Sequence, residues 1–280
     1  MGSLSLGFKC SEETQQTQLY VYEQQPPLKV IRAFPLPAGG ALVHLHNISG
    51  GVLGGDQLNI AVDVQAGAYA QLTTTSATRL YRSRNGVIPA RQTTHIHVAE
   101  HGLLEYVPDP LIPFAGARYQ QQTRIELARG AGLLWWETVA PGRVARGELF
   151  AYDLLQLEYE ISVEGRPIAL EKIKLEPRQR SLSSLARLGP YHYFTSFYIC
   201  KVGLDAAYWL SLEKECSLLA QQLTCADEIR WGVSTLAAHG IVVRALSKRG
   251  TALAGGLHAF WDMVTQALYG RKSIPPRKIY

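Results

Sequence analysis

Metal-ligating and acid–base side chains occur at a few points in otherwise neutral sequence. His44 and His46 lie two residues apart in an apolar run. On a strand, residues i and i+2 share a face, so the two imidazoles would point the same way. Such a pair suits zinc, copper or nickel, and serves equally as a hydrogen-bonded or solvent-facing pair. His95 and His97 repeat the arrangement. The segment from Ser49 to Asp56 sets the glycine pairs Gly50-Gly51 and Gly54-Gly55 around two apolar residues and ends on an acid. Glycine pairs allow positive φ and close backbone approach. A phosphate loop would continue with Lys-Ser or Lys-Thr. Here Asp56 and Gln57 follow, and an acid repels phosphate. The plain reading is a tight turn or bulge feeding a strand from Leu58.

Three further segments carry reactive side-chain types. The hydroxyl run Thr73, Thr74, Thr75, Ser76 leads to Tyr81-Arg82-Ser83, with no histidine–acid partnership nearby to activate a nucleophile. Leu104 to Phe114 sets Glu105 and Asp109 among prolines and apolar residues. Acids in such surroundings are either partly buried and functional or simply lie in a loop. In Gly142 to Glu148, the acid Glu148 follows Arg143 and Arg146, which a surface ion pair explains. No complete catalytic set emerges.

The elements that must position these residues follow from period and punctuation. Large apolar residues alternate in Leu58–Val64 and in Leu155–Ile161, and similar runs surround Thr94–Val98, Thr123–Leu127 and Ile241–Leu246. Regularly spaced strands with turns between them predict a mainly β chain. Closure as a barrel, sandwich or solenoid would manage its edges. Two late segments switch to helical spacing. Trp209, Leu212, Cys216, Leu219 and Leu223 follow Asp205 as cap. Leu253, Leu257, Phe260, Val264 and Leu268 follow Thr251 as cap and stop at Gly270. No linker divides the 280 residues, so one domain over 1–280 is expected.

Composition narrows the class. Charged residues make up 18%, against about 25% in a typical soluble protein. A hydrophobic content of 47% argues against disorder. No apolar run approaches the ~20 residues of a membrane span. No secretion signal opens the chain. Net charge is +5, but the basic residues are scattered rather than gathered into an arm for nucleic acid. Cys10, Cys200, Cys216 and Cys225 form no C-x-x-C pair, which fits a reduced, cytoplasmic setting.

Taken in order, these segments resemble the urease accessory protein family called UreD, or UreH in some bacteria. The resemblance rests on Gly50-Gly51-Val52-Leu53-Gly54-Gly55-Asp56 and on Thr73-Thr74 leading to Tyr81-Arg82-Ser83. It continues through Leu104 to Asp109, Phe114-Ala115-Gly116-Ala117, Gly142-Arg143 with Arg146-Gly147-Glu148, Gly232-Val233-Ser234 with Val243-Arg244, and the tail Pro276-Arg277. Thr75, Arg79 and Asp109-Pro110 depart from the family's usual residues.

The resemblance implies a two-layered, β-helix-like (β-solenoid) fold with two helices near the C-terminus. It implies a non-enzymatic scaffold that binds apo-urease and the protein UreF, through which the GTPase UreG joins, and that helps pass nickel inward. No tightly bound cofactor is expected, only nickel(II) in transit. Nickel takes nitrogen and oxygen ligands, and a conduit must release what it binds. On that reading Asp56, Glu105, Asp109 and Glu148 are expected to line a passage, with His44 and His46. Gly50, Gly51, Gly54, Gly55, Thr73, Thr74, Tyr81, Arg82 and Ser83 are expected as motif or partner-contact residues. Neutral faces suit a scaffold gripped on two sides. Two other readings stand beside this one. The first is a solenoid carbohydrate hydrolase with paired carboxylates such as Asp56 and Glu148. The second is a metal-free β-rich interaction module.

Overall fold

The computed structural model describes residues 1–83, 88–184 and 186–276; Arg277 of the tail motif lies outside the described residues. The chain is mainly β, with two helices near its end. The first strands are β1 (Gly2–Cys10), β2 (Thr17–Gln25), β3 (Leu28–Lys29), β4 (Ala33–Pro35) and β5 (Ala41–Asn47). There follow β6 (Gln57–Val64), β7 (Tyr69–Thr74), β8 (Thr78–Leu80), β9 (Ala90–Val98), β10 (Leu103–Tyr106), β11 (Leu111–Pro113), β12 (Arg118–Leu127), β13 (Gly132–Val139) and β14 (Leu154–Val163). The chain closes with β15 (Arg166–Leu175), β16 (Tyr193–Lys201), α1 (Ala206–Leu223), β17 (Ile229–Thr235), β18 (Gly240–Ser247) and α2 (Gly250–Tyr269).

A seven-stranded sheet runs β15-β14-β12-β9-β6-β1-β2. An eleven-stranded sheet runs β17-β18-β16-β13-β10-β7-β5-β3, with β4, β8 and β11 beside that path. Between β5 and β14 the chain alternates between them. β5, β7, β10 and β13 are parallel neighbours in the larger sheet, and β6, β9, β12 and β14 in the smaller. Each circuit therefore adds one strand to each layer. Returns from the smaller sheet are short turns stitched circuit to circuit, as where Ala99 N donates to Val64 O at 2.8 Å and Ala128 N to Val98 O at 2.9 Å. Passages the other way are long: 48–56, 75–89, 107–117 and 140–153.

Constant register stacks equivalent residues of successive circuits. Val64, Val98, Leu127 and Val163 form one buried row, and Val62, Ile96, Ile125 and Ile161 the next. Toward the long connections the inward rows become polar. Ile60 aligns with Thr94, Thr123 and Tyr159, and Leu58 with Gln92, Gln121 and Leu157.

The larger sheet is covered on both faces. One face meets the smaller sheet across the main core, which includes Leu104, Leu133 and Trp135. The other meets α1 and α2 through Leu134, Trp136, Phe197, Trp209, Phe260 and Trp261. Burial on both sides explains why β13 reads Gly-Leu-Leu-Trp-Trp without alternation. The helices follow their caps with one difference. Asp205 accepts from Tyr208 N at 2.7 Å, and Gly270 closes α2 in the left-handed region at φ 66. Thr251 is not a cap: α2 begins at Gly250. The Ser247 hydroxyl sets the turn earlier, accepting from Arg249 N at 3.1 Å and donating to Arg249 O at 2.8 Å.

Trp135 is fully buried, stacks on Tyr198 at 5.2 Å and meets Tyr159 edge-on at 5.0 Å. Trp135→Ala is expected to cost about 3–5 kcal/mol. Urea unfolding should show this as a lower midpoint with the slope unchanged.

Candidate functional site

A cavity of about 120 Å³ lies between the layers at the end facing the long connections. Its polar wall includes Thr74, Gln92, Asp109, Gln121 and Glu137, with His46 and the cationic Arg79 at its border. The register explains that polarity. Gln92 and Gln121 occupy one inward row of the smaller sheet, and Glu137 follows Trp135 on the same face of β13. Glu137 is 7% exposed and accepts from Gln121 Nε2 at 2.8 Å. Burial pushes its carboxyl up to about 7, against a smaller opposing effect of the Gln121 hydrogen bond. No cation pairs with it among the described residues. His46 borders the cavity at the end of β5, but it follows the inward-facing Leu45, so alternation turns its ring to the face that carries His44 and Lys29. Burial, and then the charge of Lys29, lower its proton affinity. A neutral imidazole keeps a lone pair for a metal.

Of the residues expected to line a passage, Asp109 reaches this cavity and His46 borders it. Asp109 is latched to β7: Thr74 Oγ1 donates to Asp109 Oδ2 at 3.1 Å and accepts from Asp109 N at 2.9 Å. Thr73 Oγ1 donates to Val107 O at 2.8 Å. The threonine pair thus anchors the wall that carries Asp109. His44 shares the side of His46 on β5 but meets the Phe34 ring edge-on at 5.7 Å.

Glu105 points away from the cavity, a correction to the expectation. Alternation along β10 turns Tyr106 inward and Glu105 to the opposite face. There Glu105 is fully buried and accepts from Arg271 at 2.7 Å, Gln71 at 2.8 Å and Tyr69 at 3.1 Å. Gln71 also donates to Ile274 O at 2.9 Å. This network straps the segment after α2 onto the sheet.

Asp56 and Glu148 also lie outside the cavity lining. Asp56 Oδ2 accepts from Leu53 N at 2.9 Å, closing the turn over Gly54-Gly55. Glu148 binds the Arg143 guanidinium through both oxygens and accepts from Ala115 N at 3.2 Å. The Arg143 hydrogen bonds lower its pKa. Arg143 lies over the Phe114 ring at 4.3 Å, and Phe114 meets Tyr81 edge-on at 5.0 Å. The Tyr81 hydroxyl donates to Gly50 O at 3.4 Å. Gly51 has φ 154, and a Cβ there would stand 2.5 Å from the Tyr81 ring. A Cβ at Gly54 would stand 2.3 Å from Ser83 Oγ. Arg82 pairs by backbone with Ala117. The motifs separated in sequence thus meet on one edge.

Glu137 and Gln121 escaped the sequence reading. The available signals were a lone acid ending an apolar run, Trp135-Trp136-Glu137, and a glutamine at an inward position of a period-two strand. Among the described residues no three His, Cys, Asp or Glu side chains converge on one point, and no helix is long and apolar enough to cross a membrane.

Comparison with known proteins gives a consistent match. The family model described as UreD urease accessory protein matches residues 1–279. A protein of Herpetosiphon aurantiacus named urease accessory protein UreD is 49% identical over 279 residues, covering 100% of this chain and 96% of that protein. One of Delftia acidovorans with the same name is 35% identical over 267 residues, covering 90% and 85%. One of Actinomyces naeslundii is 31% identical over 252 residues, covering 90% and 89%.

Two stability predictions follow from the buried acids. Arg271→Ala strands the buried Glu105 carboxylate and should cost about 3–5 kcal/mol in denaturant unfolding. The Glu137 carboxyl, held at about 7 when folded and near 4.5 otherwise, keeps its proton longer in the folded chain. Its contribution is full at low pH and is lost as pH rises to about 7. Glu137→Gln removes that titration, so the variant should gain stability over the parent by roughly 3 kcal/mol between pH 5 and pH 8. Parallel unfolding curves at the two pH values would measure it.

Proposed function

The chain belongs to the UreD family of urease accessory proteins and has a role in urease maturation; we propose that it is a non-enzymatic scaffold and metallochaperone that helps pass nickel(II) into apo-urease. One observation supports this most: a cavity between the layers whose wall presents the carboxylates of Asp109 and Glu137, with His46 at its border. Imidazole nitrogen and carboxylate oxygen suit nickel. Separate ligands, rather than a closed cage, suit cargo that must leave again. Glu137 adds a proton exchange. With its carboxyl near half-protonated at neutral pH, an arriving cation would displace a proton to solvent, and the carboxylate would take one up again once the cation leaves.

The partners in this reading are apo-urease and UreF, with UreG joining through UreF, in the cytoplasm. The circuit-by-circuit winding of parallel strands supports a two-layered, β-helix-like description of the scaffold. A paired-carboxylate hydrolase has less behind it, because Asp56 is engaged in its own turn and Glu148 on Arg143.

Removing the chain from a co-expressed urease cluster should leave urease poor in nickel and inactive; unchanged activation would refute the reading. Within the cluster, Glu137→Ala should lower the nickel content of urease severalfold. Asp63→Ala should leave it near normal, since Asp63 faces His97 on the outer surface of β6 at 2.9 Å. Equal nickel loading by the two variants would remove Glu137 from the passage.

A further inference from the structure

The long connections stack into a continuous edge. Val52 pairs with Leu80 and Arg82 with Ala117. Gly116 N donates to Ala151 O at 2.9 Å, and Ala115 N to Glu148 at 3.2 Å. This edge exposes large apolar side chains on successive connections: Ile48, Leu53, Ile88, Val144 and Leu149 are each between 44% and 66% exposed. Apolar groups gathered in this way mark contact surfaces more often than isolated ones do. Arg79, Arg82 and Arg146 are exposed on the same connections. Arg79 and Arg82 enter no ion pair among the described residues. The acids of the edge are already engaged, Asp56 with its own backbone turn and Glu148 with Arg143. What remains for a partner is apolar surface with an excess of guanidinium.

We propose that this edge is the docking surface for a protein partner whose contacting face is acidic and carries apolar side chains. Opposite charge would steer the encounter and fix orientation, and the apolar side chains would supply the desolvated centre. Gly50, Gly51, Val52 and Arg79 also bound the interlayer cavity, so the docked partner covers its outer end. The assignment rests on the maturation reading only in where the partner is sought.

The test uses the whole chain with immobilised apo-urease and, separately, immobilised UreF. The double variant Arg82→Glu, Arg146→Glu and the single variant Leu149→Asp would be compared with Arg124→Glu, which lies on the outer face of the smaller sheet. Wild type should bind one of the two proteins, more weakly as salt rises. Both edge variants should lose at least about tenfold in affinity, and Arg124→Glu should bind as wild type. Thermal unfolding would confirm that all variants fold. Wild-type binding by both edge variants would overturn this docking surface and leave the maturation role standing. Binding of neither protein by wild type would overturn both. Self-association of the isolated chain, abolished by the same substitutions, would assign the edge to a second copy and overturn the proposal.

Discussion

The parallel register between successive circuits is the constraint on which the rest of this structure depends. Backbone hydrogen bonds hold β6, β9, β12 and β14 in step, and β5, β7, β10 and β13 likewise. A slip of one residue would exchange the inner and outer faces of a whole strand. Buried rows of Val, Ile and Leu at the short-turn end hold the step, because any slip would put them in water. At the other end the same register lines up glutamine and threonine. Polar groups there sit opposite Glu137 across the core. The cavity is thus a consequence of where the aliphatic rows stop.

Two buried acids show how much depends on the face a strand presents. Glu105 and Glu137 sit on neighbouring strands of the same sheet, and both are nearly or fully inaccessible. Glu105 has a guanidinium, an amide and a phenol to hold its charge. Glu137 has one glutamine and, among the described residues, no cation paired with it, and burial raises its proton affinity. The first acid fastens the C-terminal strap to the sheet. The second faces the cavity, where burial favours its protonated form. Their chemistry differs because their neighbours differ, although both are glutamates.

The glycine pairs, Tyr81, Phe114, Arg143 and Glu148 are tied together by turn closure, ring contacts and a two-pronged ion pair. This network keeps the long connections compact where they would otherwise spread. It also leaves apolar side chains on the outside, beside Arg79 and Arg82, which enter no ion pair among the described residues. Part of the neutrality seen in the composition lies along that edge as uncovered apolar surface; other exposed apolar side chains, such as Tyr22, Ile31 and Leu170, lie elsewhere.

Several features were legible in the sequence because they depend on neighbours along the chain. Period-two alternation gave the strands around Leu58–Val64 and Leu155–Ile161, and helical spacing gave α1 and α2. Glycine pairs before an acid gave the turn at Asp56, and the order of motifs pointed to the family. Face and partner could not be read the same way. Glu105 falls in the same proline-rich stretch as Asp109, yet alternation turned it from the cavity, where Arg271 from the far end of the chain met it. Thr251 has the chemistry of a cap, but Ser247 turned the chain first. Glu137 looked like the end of an apolar strand until two sheets closed over it. Local order sets period and turns through short-range sterics and hydrogen bonds. Which acid is paired, buried or exposed depends on residues brought near by the circuit-to-circuit stacking, and only the tertiary structure decides that.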